Sequence, residues 1–169
     1  MNFKHTFLVA GLVPCLLVGC ASQPVALAPV GPGTPMAASP FANGAGYLQV
    51  FSDTESHVIG DGTSYYPHTG YTINDVAGKR LQYVPNHVGN MDETPTPVRL
   101  PVGSYQIVAE SSSYGRVTVP VVIRSSKTTT LHLDRSWRPA PSAAAGAIVR
   151  LPDGEAVGWS EDFAKATIH

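Results

Sequence analysis

Charge is scarce in this chain. Its 169 residues hold 11 Lys and Arg against 12 Asp and Glu, a formal net charge of −1. That balance leaves no basic footprint for nucleic acid and no polybasic patch for anionic lipid. Cysteine is scarcer: Cys15 and Cys20 are the only two, and both sit near the start. Beyond them no disulfide framework, thiol nucleophile or thiolate metal site can be built. Helix signals are nearly absent. The longest apolar run, residues 7–18, falls short of the roughly 20 residues a membrane span needs. No GxSxG, HExxH or CxxC occurs, so the familiar hydrolase, metalloprotease and redox signatures are missing.

Metal and cofactor chemistry is thin as well. His57, His68, His87, His132 and His169 are scattered, none two or four residues from another. A site built from His57, His68 and His87 would need only closeness in space, but exposed polar loop residues are the plainer reading. Gly60, Asp61 and Gly62 form a fragment of a calcium loop without its repeated Asp or closing Glu. The sequence implies no catalytic residue, no metal and no cofactor.

What is present begins at the N-terminus. Lys4 and His5 precede the apolar run, which closes on Leu17, Val18, Gly19 and Cys20. This layout is that of a secretory signal peptide, and its last four residues resemble the lipobox of bacterial lipoproteins. The resemblance implies a signal over residues 1–19 and lipid attachment at Cys20. One acyl chain binds a membrane marginally and two or more hold it stably, so the multiply acylated cysteine implies a permanent membrane anchor. Ala21 and Ser22 stand where an inner-membrane retention Asp would be, which points by analogy to the outer membrane, on its periplasmic face or at the cell surface.

Residues 20–46 read as a tether. From 21 to 46 there is no charge, and Pro24, Pro29, Pro32, Pro35 and Pro40 punctuate Ala, Gly, Ser and Val. Such a composition buries too little to offset its ordering entropy. Extended at about 3.1 Å per residue, it would lift a domain by up to roughly 80 Å.

Residues 47–136 read as strand after strand. Leu48 and Val50 share a face; so do Tyr105, Ile107 and Ala109, then Val117, Val119, Val121 and Ile123, then Thr129, Leu131 and Leu133. Residues 70–74 and 79–84 suggest a hairpin around Ala77 and Gly78, and 86–96 a polar loop. Pro120 lacks an N–H and marks an edge or a bulge. Ser125 and Ser126 suggest a tight hairpin joining the last two runs. About seven short strands without helix predict an all-β fold, an antiparallel Greek-key β-sandwich.

Arg99, Leu100, Pro101, Gly103, Tyr105, Ile107 and Ala109, followed by residues 115–121, resemble the LPxGxYxVxA signature of PEGA-type and carboxypeptidase-regulatory-like domains. These are transthyretin-like or Cna B-type sandwiches. The resemblance implies that Tyr105 plugs the core's end with its hydroxyl on backbone, as in a tyrosine corner, and that the module binds or supports another component. Some Cna B-type domains carry a Lys–Asn or Lys–Asp isopeptide bond. Asp134 and Glu110 would suit it, but the first strand has no lysine and Lys79 and Lys127 are misplaced.

Residues 137–169 form an extension in which 147–151 and 155–159 flank the turn Pro152, Asp153, Gly154, predicting a hairpin docked on the sandwich. Tyr65, Tyr66, Tyr71, Trp137 and Trp159 fall near turns and strand ends. Of these, Tyr65, Tyr66, Tyr71 and Trp159 are the candidate binding residues, since exposed rings stack on sugars or anchor partners. The sequence therefore predicts a membrane-anchored envelope lipoprotein, a non-enzymatic binding or scaffolding module with an envelope protein partner. The alternative is a module that binds carbohydrate or peptidoglycan through its rim aromatics.

Overall fold

A computed structural model describes residues 25–31, 44–143 and 145–160. The expected signal peptide, Cys20, residues 32–43 of the expected tether and the end of the extension lie outside the described residues.

Seven strands make two sheets. β1 (Ala45–Phe51), β6 (Val98–Pro101) and β9 (Thr128–His132) form one, ordered β6-β1-β9. β4 (Tyr71–Asn74), β5 (Arg80–Val84), β7 (Gly103–Ser111) and β8 (Gly115–Ile123) form the other, ordered β5-β4-β7-β8. Two hairpins complete the body: β2 (His57–Val58) with β3 (Ser64–Tyr65), and β10 (Ile148–Arg150) with β11 (Ala156–Trp159). The fold is an all-β sandwich, and a 3₁₀ turn at Ala145–Ala147 is the helical content of the described residues.

Period-two alternation explains the core. β7 buries every second residue, Tyr105, Ile107 and Ala109 among them, and β8 buries Val117, Val119, Val121 and Ile123. Leu48 and Val50 of β1, and Leu131 with the following Leu133, meet them from the opposite sheet in one cluster. Burying such a side chain fully is worth about 1.5–3 kcal/mol. The Tyr105 hydroxyl donates to Pro101 O at 2.9 Å, so the phenol fills the core end with its polar tip satisfied. At the β4–β5 turn, Asp75 Oδ1 accepts from the amides of Ala77 and Lys79, and Gly78 supplies the positive φ.

The structure differs from the sequence reading in three places. β8 and β9 do not form a hairpin: Ser125 and Ser126 carry the chain from one sheet to the other, with Ser126 N donating to Ala45 O. β9 pairs with β1 instead, and in parallel, so the sandwich is not purely antiparallel. The third difference falls in the expected tether. Residues 25–31 lie on the sandwich, with Val30 only 1% exposed and Leu27 packed against the core. Val30 N donates to Pro120 O and Val122 N donates to Val30 O, both at 2.9 Å, so a short parallel bridge covers the outer edge of β8. Pro120 sits there because its missing N–H faces that edge and costs the β7 ladder nothing. Gly31 (φ 133°) then passes so close to Val122 O that no side chain fits.

Hairpin β10–β11 packs beside this segment. Val149, Leu151 and Val157 join the core, and Gly31 N donates to Trp159 O at 2.9 Å. Gly158 lets β11 come close: a Cβ there would strike the Val30 side chain and lie against Thr130 O of β9.

Candidate functional site

β1 and β9 run side by side with Phe51 opposite His132. Parity turns both rings outward, since Val50 and Leu131 point in. The two rings stack at 4.7 Å and 18°. Trp137 stacks on the other face of His132 at 4.9 Å and 9°, Trp159 meets Trp137 edge-on at 5.5 Å and 74°, and His68 meets Phe51 edge-on at 5.5 Å. Five rings from four parts of the chain thus form one column across the outer face of the β6-β1-β9 sheet. Each well-formed aromatic pair contributes about 0.5–1.5 kcal/mol beyond area burial, so the column holds its end rings in a fixed attitude.

The column ends in a groove of about 380 Å³ along β9, lined by Val30, Gly31, residues 127–130, His132, Trp137 and Trp159. Trp159 is 42% exposed. Thr128 and Thr130 point outward on the same face as His132, whereas Thr129 points in and donates to Val122 O. Among the described residues of the lining, Lys127 is the one charged side chain. Behind Trp137, Arg138 Nη1 donates to Trp137 O at 2.9 Å and to Glu155 Oε1 at 3.2 Å, linking the segment after β9 to hairpin β10–β11.

His132 is the ring held between two others in the column. Desolvation between two rings lowers its pKa, with the Asp134 carboxylate opposing in part. Its Nδ1 is buried with no hydrogen-bond partner among the described residues. The imidazole therefore serves as a neutral stacking plate at pH 7.

At the far end of the column lies a buried polar cluster. His68 Nδ1 is 2.7 Å from Ser52 O, and Ser52 Oγ donates to Thr69 O at 2.6 Å. Asn86, fully buried with φ 71°, donates through Nδ2 to Val50 O at 2.9 Å and Ser52 Oγ at 3.0 Å. These bonds tie the crossing from β5 to β6 onto β1, an architectural task. Among the described residues no three His, Cys, Asp or Glu side chains gather as a metal site.

The candidate residues separate. Trp159 is in the groove; Tyr65 and Tyr66 sit on and beside hairpin β2–β3 and do not line it. Tyr66 is half-exposed and its amide donates to Glu93 Oε1 at 2.7 Å. Tyr71 is not a rim residue: it is 1% exposed in the core, and burial pushes its hydroxyl pKa up. Its parity with Ile73 carried that signal. Trp137 and His132 belong to the site and were missing from the candidates, although His132 alternates with Leu131 and Leu133 and so had to face out. Val30 and Gly31 carried no local signal. No protein-family model, curated protein or solved structure matches this chain.

Proposed function

We propose that this chain is a lipid-anchored, non-enzymatic binding module of the cell envelope, at the outer membrane, which holds another envelope component in the β9 groove. The observation that carries the reading is that both tryptophans of the chain line one groove, one of them braced by a ring column reaching back to β1. Aromatic faces held rigid lose little entropy on binding. The described lining offers stacking faces, hydroxyls and a lysine, the equipment of recognition.

The docked segment changes how such an anchor would work. Five residue steps separate Cys20 from Val25, a reach of at most about 18 Å. The body would then ride near the membrane rather than on a spacer of roughly 80 Å. The chain's own Val30 also covers the edge that Pro120 marks.

Fractionation of the full-length protein tests the anchor: Cys20→Ser is expected to move it from the membrane to the soluble fraction. Pull-down from detergent-solubilised envelope tests the module, with a stoichiometric component expected to be lost on Trp159→Ala. Retention of Cys20→Ser in the membrane overturns the lipoprotein reading.

A further inference from the structure

We infer that the β9 groove takes a carboxylate-bearing saccharide, one sugar ring lying on the exposed indole of Trp159 with its acid group turned to Lys127. This rests on the binding-module reading and names its ligand class.

Three observations converge on a sugar rather than a peptide strand. First, backbone pairing on this side is obstructed at both edges. Val30 bridges β8, and Gly158 lies against Thr130 O at the outer side of β9. β9 gives its 127, 129 and 131 backbone groups to β1, as the bonds from Lys127 O and to Leu133 N require, so residues 128, 130 and 132 face the β11 side. Strand addition needs a bare edge; with β11 seated against Thr130 O, a partner strand cannot pair along the middle of β9, and recognition falls to side chains. Second, the side chains are those that grip a sugar: an indole face for the ring's C–H side, and the outward hydroxyls of Thr128 and Thr130 for its hydroxyl groups. A volume of about 380 Å³ lies at the small end of ligand sites, too small for a folded element. Third, Lys127 is the charged side chain among the described residues of the lining, so the groove offers a cation to an anionic group.

The test uses the two tryptophans, both in the groove, as reporters. Emission of the full-length protein in detergent is titrated with the disaccharide of N-acetylglucosamine and N-acetylmuramic acid, with oligogalacturonate, and with neutral chitotriose. The acidic sugars are expected to shift emission saturably, and whichever binds tighter identifies the source as peptidoglycan or a uronic-acid polysaccharide. Lys127→Gln, at an exposed position, should weaken acidic sugars about tenfold and leave chitotriose unchanged. Trp159→Ala should abolish the shift read by Trp137.

Acidic sugars that give no saturable shift, or that bind Trp159→Ala as well as the parent, overturn the inference. Equal affinity for neutral and acidic sugars removes Lys127 from it. If sugars fail while a captured envelope protein is released by Trp159→Ala, the saccharide falls and the binding module stands.

Discussion

At the β8 and β9 flank the sheet edges are covered by the protein's own chain, whereas at the β5 flank the edge strand faces solvent. β8 is nine residues long and rich in Val, and Val30, Gly31 and hairpin β10–β11 lie over that side. β5 has five residues, four of them exposed, and none of the described residues pairs with its outer edge. The contrast follows from what each strand offers an intruder. A long apolar edge is a template for unwanted pairing, while a short one with a charge and a bulge is not. β5 carries Arg80, whose guanidinium lies 5.6 Å from the Tyr83 ring centre, and its pairing with β4 slips at Asn74. The protein covers the long apolar edge, where Pro120 withdraws only one donor from nine residues.

Substitution of a single apolar residue on each flank breaks the comparison most sharply. Val30→Asp places a carboxylate in the core with no partner, and urea unfolding is expected to show a loss of about 3 kcal/mol or more. Leu81→Lys, at a side chain 52% exposed on β5, is expected to change stability by less than about 0.5 kcal/mol. Equal effects from the two would mean that residues 25–31 do not hold the β8 edge.

Asn86 sharpens the same contrast from the other side, because the chain leaving β5 is fastened there. Asn86→Ala strands Val50 O, leaves Ser52 Oγ only its bond to Thr69 O, and puts in a left-handed conformation a residue that adopts it less readily than asparagine, for an expected loss of about 3 kcal/mol. Asn86→Gly removes the bonds but tolerates the φ of 71°, and should recover about 1 kcal/mol of that loss. If both variants unfold at the same urea concentration, the hydrogen bonds alone fasten this crossing.

Most of the sandwich was legible because it is written locally. Alternation in β7, β8 and β9 names the inward residues one by one, and the same rule applied to Tyr71 and Ile73 places Tyr71 in the core. What was not legible depends on distant partners. Val30 is one apolar residue among prolines and alanines; only the outward carbonyl of Pro120 and the space left by Gly158 make it a plug. The β8–β9 turn reads as a hairpin because sequence shows two strands and a short link, and it cannot show that β1 competes for β9. The ring column is of the same kind: β9 presents His132 to the outside, but Phe51 and Trp137 reach it from other parts of the chain.

That column gives the smallest and most specific of the expected effects. His132 is held between Phe51 and Trp137, and its pKa in the folded protein lies below its ordinary value because the rings exclude water from the charged form. The unfolded chain therefore binds this proton more readily than the folded one. The stabilisation is fully present above the unfolded value of about 6.5. It is lost as pH falls through that value towards the depressed folded one, and it is constant below that. Between pH 7.5 and 5.5 few carboxylates titrate, so the urea midpoint of the parent should decline on acidification. His132→Phe keeps a stacking ring and removes the proton site, and its midpoint should decline less. Because protonation also charges a plate that braces Trp137, the emission of the tryptophan pair should change as pH falls through the depressed folded value in the parent and stay flat in His132→Phe. Identical pH profiles for the two proteins would take His132 out of the column's energetics and leave Trp137 held by Arg138 and the hairpin alone.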